Sequence, residues 1–395
     1  MPTATEKRHR MGRSVGMGNA KPATGGEALL QAISKADGEL DAVRRAIPHC
    51  SMEKCTEALA KAAEGGHVDA VQLLIPVSDP KANDSEALRQ AAANGHLNAV
   101  CVLVPVCDPK ANGSAALRWA AHYGRLDVVQ VLVPLSDPKA NDSEALRWSA
   151  ENGHLDVVKE LVPVSDPTAN DSAALRWAAE YGYLDVVKEL VPVSDPKANS
   201  SAALRWAAHY GRLDIIKELI PVSDPKAKGS EALRRAAEYG HLDVVKELVP
   251  VSDPTTNDSE ALYWAAARGH VEVVRELIPA SDPRAEGSLA LWAAAHFGNL
   301  DVVRELVPVS DVGAVFRKEL ESIQKEPRRG RGSPWFRAIN ALAPHVDENL
   351  LEQAARDVPA NLLKLMPFLS AWRAATRLRK ATPPAAAPPR RRRSL

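Results

Sequence analysis

The chain has 395 residues, 45% of them hydrophobic, so it carries enough apolar material to fold around a substantial core. Its 50 basic and 50 acidic residues give a formal net charge of +0, which excludes an overall bias towards nucleic acid or an acidic membrane surface. No stretch reaches the roughly 20 apolar residues of a membrane-spanning helix, and residues 1–26 lack the apolar core of a secretory signal. We therefore expect an intracellular protein, cytoplasmic by default, without membrane association.

The first 25 residues are polar, and they carry five basic side chains: Lys7, Arg8, Arg10, Arg13 and Lys21. Residues 1–25 are therefore predicted to be a disordered basic tail. The segment Gly38–Val43 is an imperfect version of a phrase, GHLDVV, that returns many times further along the chain. Because the terminal member of a repeat array has one side facing water, it is expected to be atypical. Residues 26–53 are therefore predicted to form an N-terminal capping repeat.

From residue 54 onward the same phrase recurs with a period of 29 residues. A glycine marks each of the nine repeats, which are numbered 1 to 9 by these positions: Gly66, Gly95, Gly124, Gly153, Gly182, Gly211, Gly240, Gly269 and Gly298. Tandem repeats of fixed length are typical of a solenoid, in which each repeat buries its apolar face only against its neighbours. Strict alternation of apolar and polar residues is absent, so no strand is predicted. Residues 54–314 are therefore predicted to form an all-α solenoid of helix–turn–helix repeats with helical caps.

Repeat 4 shows how each repeat is expected to fold. Asp142 or Ser143 can supply an N-cap oxygen to a first helix, and Gly153 ends that helix because a positive φ is common at this position. The segment Leu155–Val162 has apolar residues at helical spacing and is predicted to be the second helix. Pro163 ends it by removing a backbone donor. Each repeat is therefore predicted to contain two helices.

The repeat pattern ends at Asp311, which is followed by Val312 where earlier repeats have proline. Helices are predicted beyond it over four segments: 313–325, 335–342, 348–356 and 360–380. Their apolar residues can cover the open end of the stack, so residues 315–380 are predicted to be a C-terminal helical cap. The Pro/Ala/Arg-rich residues 381–395 are predicted to be a disordered tail.

Four cysteines lie near the start of the array: Cys50, Cys55, Cys101 and Cys107. Later repeats carry Ser, Lys or Gln at the corresponding positions, which argues against a disulfide framework. A metal site or a redox pair is one interpretation of the cluster, and ordinary thiols in a reducing compartment are the other. We expect ordinary thiols, and we predict neither a metal nor a cofactor.

The repeat resembles a known family. In repeat 4, the segment Ala145–Leu161 reads ALRWSAENGHLDVVKEL, which is similar to the two-helix pattern TPLHLAAxxGHLEVVKLLL of the ankyrin repeat. The match runs from about residue 55 to about residue 313. The TPLH positions read EALR or AALR, and the repeat is four residues shorter than the family's usual 33. Short turns are therefore expected in place of the family's β-hairpin fingers.

The resemblance implies a non-enzymatic scaffold that binds an unknown partner protein through the concave face of its repeats. We expect a monomer. The resemblance also implies that the histidine found after five of the nine glycines has a structural role in tying loops together. These histidines are His67, His96, His154, His241 and His270.

Candidate binding residues lie on one face of the first helices. Spacing of four residues pairs Trp177 with Tyr181 and an arginine with a carboxylate, as at Arg147 and Glu151 or Arg234 and Glu238. Trp, Tyr and Arg dominate interface hot spots, and the two residues before each glycine vary most between repeats. The predicted protein-binding residues are Trp119, His122, Tyr123, Trp148, Glu151, Asn152, Trp177, Glu180, Tyr181, Trp206, His209, Tyr210, Glu238, Tyr239, Trp264 and Arg268. The alternative is that the Trp row packs between repeats and that the charged pairs are solvated.

Two other classes of function are weighed against this one. An enzyme is not expected, because the sequence has no phosphate-binding glycine loop, HExxH motif or nucleophile elbow. The alternative function is a secreted or nuclear-targeted effector whose basic tails contact nucleic acid or acidic surfaces. It depends on three basic runs, which can also be solubilising tails: Lys7–Arg10, Arg328–Arg331 and Arg390–Arg393.

Overall fold

The computed structural model describes residues 25–34, 40–325, 334–358, 364 and 366–381, and every regular element in these ranges is a helix. The chain divides into two compact units, residues 1–141 and residues 142–395. The predicted basic tail over residues 1–24, the tail beyond residue 381 and the three basic runs lie outside the described residues.

In the first compact unit, long helices alternate with seven-residue helices from α3 onward. Its helices are α1 (Gly25–Ser34), α2 (Leu40–Ala46), α3 (Met52–Glu64), α4 (Val68–Leu74), α5 (Ala82–Asn94), α6 (Leu97–Leu103), α7 (Ala111–His122) and α8 (Leu126–Leu132). Each long helix packs against the next long helix, and each short helix packs against the next short one. The capping helix α1 packs against α3 in the same way.

The second compact unit continues the alternation. Its helices are α9 (Ala140–Glu151), which starts just before the boundary, α10 (Leu155–Leu161), α11 (Ala169–Tyr181), α12 (Leu184–Leu190), α13 (Ala198–His209), α14 (Leu213–Leu219), α15 (Ala227–Glu238), α16 (Leu242–Leu248), α17 (Thr256–Arg268), α18 (Val271–Leu277), α19 (Ala285–Phe297), α20 (Leu300–Leu306), α21 (Val312–Lys325), α22 (Pro334–Leu342), α23 (Glu348–Asp357) and α24 (Pro367–Ala381). The predicted two-helix repeat and the predicted absence of strands are confirmed for the described residues.

The core of each repeat lies between its two helices. In repeat 5, Leu175 of α11 and Val187 and Leu190 of α12 are at most 1% exposed. Small alanines beside these residues let neighbouring helices approach closely. Full burial of each such side chain contributes about 1.5–3 kcal/mol, so the stack is stabilised repeat by repeat.

Glycine and proline set the helix boundaries as predicted. Gly153 has a φ of 74° and Gly182 a φ of 96°, in the left-handed region that an L side chain adopts only with strain. A Cβ added to Gly182 would also meet the Arg212 side chain at 2.9 Å. Helix α10 ends at Leu161, two residues before Pro163.

In repeats 2 to 9, the residue range given for the long helix opens with a left-handed turn. In repeat 5, Asn170, Asp171 and Ser172 have φ values of 51°, 55° and 55°, so the right-handed helix begins only after Ser172. Consecutive left-handed residues cost about 1–2 kcal/mol each, and Asn and Asp tolerate this conformation better than most residues. The prediction of an N-cap at Asp142 or Ser143 is wrong, because both residues lie in this turn. Both residues have a positive φ, and the Ser143 hydroxyl accepts the backbone N–H of Asp166 in the next repeat at 2.8 Å.

Hydrogen bonds from side chains to backbone join each of these turns to the next. The Ser172 hydroxyl accepts the N–H of Asp195 at 2.9 Å, and the Ser194 hydroxyl donates to the carbonyl of Pro167 at 3.3 Å. The Asp195 carboxylate in turn accepts the N–H of Lys197 at 2.9 Å. The expected short turns are therefore present, and these hydrogen bonds link each turn to the next.

Replacing Ser201 with alanine is expected to lower the free energy of unfolding by about 1–2 kcal/mol, because the Asp224 N–H loses its acceptor, the hydroxyl of the buried Ser201. Urea unfolding followed by helical circular dichroism measures the change. Ser200→Ala is the matched control, because Ser200 has the same φ of 56° but an exposed side chain. Equal destabilisation by the two substitutions would show that the serine effect comes from backbone strain alone.

The four cysteines carry free thiols. Cys107 stands where later repeats have the serine that precedes Asp-Pro, and its Sγ donates to the carbonyl of Pro80 at 3.1 Å. Burial raises the pKa of the Cys107 thiol to about 11. The thiol therefore replaces a structural hydroxyl and is protonated at neutral pH.

Helices α21 to α24 occupy the segments where the sequence predicts helices, except that residues 359–363 and 365 are outside the described ranges. Helix α21 packs against α19, and α22 packs against both. Phe316 of α21 and Ile339 of α22 are fully buried. The apolar face of repeat 9 is therefore covered by the chain that follows it.

Candidate functional site

The predicted Trp–Tyr pairs stack along the long helices. Ring centroids lie 5.8 Å apart in Trp177–Tyr181, with 16° between the planes, and 6.1 Å apart in Trp206–Tyr210, with 19°. In the first compact unit, Trp119 and Tyr123 stack at 5.8 Å and 19°. The tryptophans are half-buried, whereas the tyrosines are among the most exposed large side chains. Each tryptophan therefore supports a tyrosine that faces solvent.

The predicted histidines pack edge-on against these stacked pairs. The His209 ring lies 5.4 Å from Trp206, 4.6 Å from Tyr210 and 4.2 Å from Tyr239 of the next repeat. Burial and the charge of Arg235 lower the pKa of His209. In the first compact unit, His122 makes the same contacts with Trp119 and Tyr123. His209 therefore contacts the tyrosines of two adjacent repeats.

The variable residues before the glycines are matched across neighbouring repeats. The last of the pair in one repeat contacts the first of the pair in the preceding repeat: Tyr239 contacts His209, and Arg268 pairs with Glu238 at 3.1 Å. Tyr210 lies next to Glu180 of the preceding repeat, whose Oε2 is buried without a hydrogen-bond partner among the described residues. Burial raises the pKa of Glu180, while Arg176 and Tyr210 act in the opposite direction. Variation at these positions is therefore coupled to inter-repeat packing as well as to surface chemistry.

The arginines of the long helices mainly contact other groups of the protein itself. Arg147 pairs with Glu144 at 2.7 Å, not with the predicted Glu151, whereas Arg234 pairs with Glu238 at 3.3 Å as predicted. Arg205 is only 7% exposed, and its Nη1 lies 2.7 Å from Oε2 of Glu231 in the next repeat.

Arg205 also holds the left-handed turn of its own repeat. Its guanidinium donates to the carbonyls of Ser200 at 3.0 Å and Asn199 at 2.9 Å. In the first compact unit, Arg118 makes the equivalent bonds to Gly113 and Asn112 at 2.9 and 2.7 Å. These arginines therefore stabilise the turns and are not free to bind a partner.

The remaining predicted residues also have structural contacts. Asn152 donates to the Trp148 carbonyl at 2.8 Å. Trp264 donates from Nε1 to Glu260 at 3.1 Å, and the Arg268 guanidinium lies 5.8 Å from the Trp264 ring. In the second compact unit, the structure brings together predicted residues of neighbouring repeats on the face of the long helices. In the first compact unit, the predicted residues all lie in repeat 3.

The list of predicted binding residues omits two members of this face. Arg235 replaces the tryptophan of repeat 7, and its guanidinium lies 5.0 Å from the Trp206 ring of repeat 6. Phe297 of repeat 9 is 51% exposed at the tyrosine position. Both depart from the common repeat at a position already singled out, and that departure is the signal that could have found them.

At three positions, the histidine after the glycine has the structural role that the resemblance implies. His241 Nε2 donates to the carbonyl of His209 at 2.9 Å, and His270 Nε2 donates to that of Glu238 at 3.0 Å. His96 does the same for Glu64 in the first compact unit, at 2.9 Å. Each histidine caps the C-terminal end of the long helix in the preceding repeat, so these histidines link consecutive repeats.

Two further findings concern the described residues. No described helix is both long enough and apolar enough to cross a membrane. No three His, Cys, Asp or Glu side chains in the described ranges group closely enough to hold a metal ion.

Comparison with known proteins gives one family match. The family profile described as ankyrin repeats (3 copies) matches residues 29–112, 88–171, 117–201, 175–258 and 233–315, which together span most of the chain. No match was found among the curated proteins.

Proposed function

The chain belongs to the ankyrin repeat family, whose members are generally protein–protein interaction modules, and we propose that it is a non-enzymatic scaffold for a partner protein. The binding surface in this proposal is the face of the long helices in the second compact unit. Its members are Trp148, Glu151, Asn152, Trp177, Glu180, Tyr181, Trp206, His209, Tyr210, Glu238, Tyr239, Trp264 and Arg268, with Trp119, His122 and Tyr123 as the equivalent residues of the first compact unit.

One observation carries the proposal. Tyr181, Tyr210 and Tyr239 are 45%, 44% and 47% exposed, although most large aromatic side chains are buried on folding. Tyr181 and Tyr210 are held by stacking on a tryptophan, and Tyr239 by a histidine, so little side-chain freedom remains to be lost on binding. Exposed, pre-ordered aromatic rings are what interface hot spots require.

The charges of this face favour a protein over nucleic acid. Arginines such as Arg205 and Arg234 are paired with carboxylates, so they do not form a basic stripe that could follow a phosphate backbone. The alternative effector function rests on basic runs outside the described residues, and no described residue adds support to it. We propose a monomer located in the cytoplasm, with no cofactor.

The triple substitution Tyr181→Ala, Tyr210→Ala, Tyr239→Ala is expected to weaken partner binding at least about 30-fold, since even one hot-spot residue contributes about 2 kcal/mol or more. The partner is first identified by affinity capture with the full chain and mass spectrometry, and the affinity is then measured with the purified pair. Tyr183→Ala is the matched control, because Tyr183 is an exposed tyrosine on the other side of Gly182. Unchanged affinity of the triple variant would remove this face as the interface.

A further inference from the structure

A groove of about 750 Å³ lies in the first compact unit, between α3 and α5. Leu59, Ala60 and Ala87 line its apolar part. Among the described residues that line it, five are acidic and one, Lys61, is basic; the acidic residues are Glu53, Glu57, Glu64, Asp79 and Glu86. The groove therefore carries a local negative charge in a chain that is neutral as a whole.

Three of these carboxylates have counterparts, six repeats later, that surround an arginine. In the second compact unit, Arg234 lies among Glu231, Glu238 and Glu260. Its Nη2 is 3.6 Å from Glu231, its Nη1 is 3.3 Å from Glu238, and its Nε is 3.8 Å from Glu260 of the next repeat. This arrangement shows what chemistry the three positions accommodate when they all carry glutamate.

The groove has three carboxylates at the equivalent positions but has no arginine at the position of Arg234. Glu57, Glu64 and Glu86 precede those three glutamates by the same 174 residues, which is six repeat lengths. At the position of Arg234 the first repeat has Ala60. The open groove is therefore the space that a guanidinium fills in the later repeat.

Exposure supports this correspondence at two of the three positions. The side chains of Glu57 and Glu64 are 52% and 44% exposed, whereas those of Glu231 and Glu238 are 13% exposed. Glu86 and Glu260 are alike, at 33% and 35%. Lys54 pairs with Glu57 at 2.6 Å, Lys61 with Glu64 at 2.7 Å, and Arg89 with Glu86 at a longer 3.5 Å. Exposed pairs of this kind contribute only about 0.2–1 kcal/mol, while a guanidinium can bridge two carboxylates with a fixed fork of donors.

We propose that this groove binds an arginine side chain presented by an arginine-rich segment of a partner protein. The arginine takes the place that Arg234 occupies in its own repeat, between the carboxylates of Glu57 and Glu86. The site is separate from the exposed tyrosines, so it does not depend on the proposed function of that face.

The test uses the full chain and a fluorescein-labelled peptide of eight residues in which arginine alternates with glycine. Fluorescence anisotropy at low ionic strength is expected to show saturable binding. Ala60→Arg fills the groove with the chain's own guanidinium and is expected to weaken binding at least tenfold. The control Gln72→Arg adds the same charge at an exposed site on α4 and is expected to change the affinity less than twofold.

Further measurements make the test independent of whether any one variant folds. Glu86→Gln is expected to weaken binding at least fivefold, and a peptide with citrulline in place of arginine is expected not to bind. The triple tyrosine variant is expected to bind the peptide normally, which separates this site from the proposed function.

Two results would overturn the proposal. Equal affinities of the Ala60→Arg and Gln72→Arg variants would show that the peptide responds to net charge and not to this groove. Binding that appears only after Lys7, Arg8, Arg10 and Arg13 are replaced by glutamine would show that the occupant is the chain's own N-terminal segment.

Discussion

Replacing Arg205 with alanine is expected to lower the free energy of unfolding by about 3 kcal/mol, the lower end of the range for breaking a buried ion pair. Arg205 is 7% exposed, and its guanidinium bonds to Glu231 and to the carbonyls of Asn199 and Ser200. The substitution leaves both carbonyls without this donor. Arg235 still pairs with Glu231 at 2.7 Å, which limits the loss. Urea unfolding of the full chain, followed by circular dichroism, measures it.

Arg212→Ala is the control for this prediction. Arg212 is exposed, and its Nε bonds to the Glu180 carbonyl at a long 3.5 Å. Its replacement is expected to cost no more than about 0.5 kcal/mol, as is usual for surface substitutions. If the two variants lose the same stability, burial of Arg205 does not have the structural importance given to it here. Arg205→Lys separates charge from geometry, since lysine retains the charge but not the planar fork of donors.

The helices were predictable from the sequence because their signals are local and recur in every repeat. Gly182 ends a helix through its own backbone, and Pro163 ends one by lacking an N–H, so neither effect depends on a distant residue. The left-handed turn was not predictable in this way. Asn, Asp and Ser all favour an N-cap, and Asn and Asp also tolerate a left-handed turn. The choice depends on Ser172 reaching an amide 23 residues later.

The candidate site likewise contains contacts that the sequence predicts and contacts that it does not. The stacking of Trp177 on Tyr181 follows from a spacing of four residues on one helix. The arginine contacts depend on neighbours as well. Arg147 has Glu144 three residues before it and pairs with it, whereas Arg205 has Ala202 there and reaches Glu231 in the next repeat. The spacing of residues along one helix therefore predicts the aromatic pairs correctly but predicts only some of the charged pairs.

Glu319→Gln is expected to raise the free energy of unfolding at pH 7, because the native state then no longer buries a carboxyl group that ionises. Glu319 on α21 is 1% exposed, and its Oε1 accepts the indole N–H of Trp292. Its Oε2 is buried and has no hydrogen-bond partner among the described residues. Glutamine keeps the acceptor for Trp292 and removes the charge, so the variant no longer buries an ionised group.

The pH dependence of this gain gives a sharper test than its size. Burial raises the pKa of Glu319, and the bond from Trp292 only partly opposes the shift. The native state therefore holds a proton more tightly than the unfolded chain, and the stability from this group is fully present only below about pH 4.3, the usual glutamate pKa. That stability is lost as the pH rises through the raised pKa, so the advantage of Glu319→Gln should be absent at low pH and grow towards neutrality. Urea unfolding at several pH values checks this, with Glu321→Gln as the exposed control on the same helix. An advantage that stayed constant with pH would mean that the substitution acts through packing, because a neutral amide can alter packing but cannot titrate.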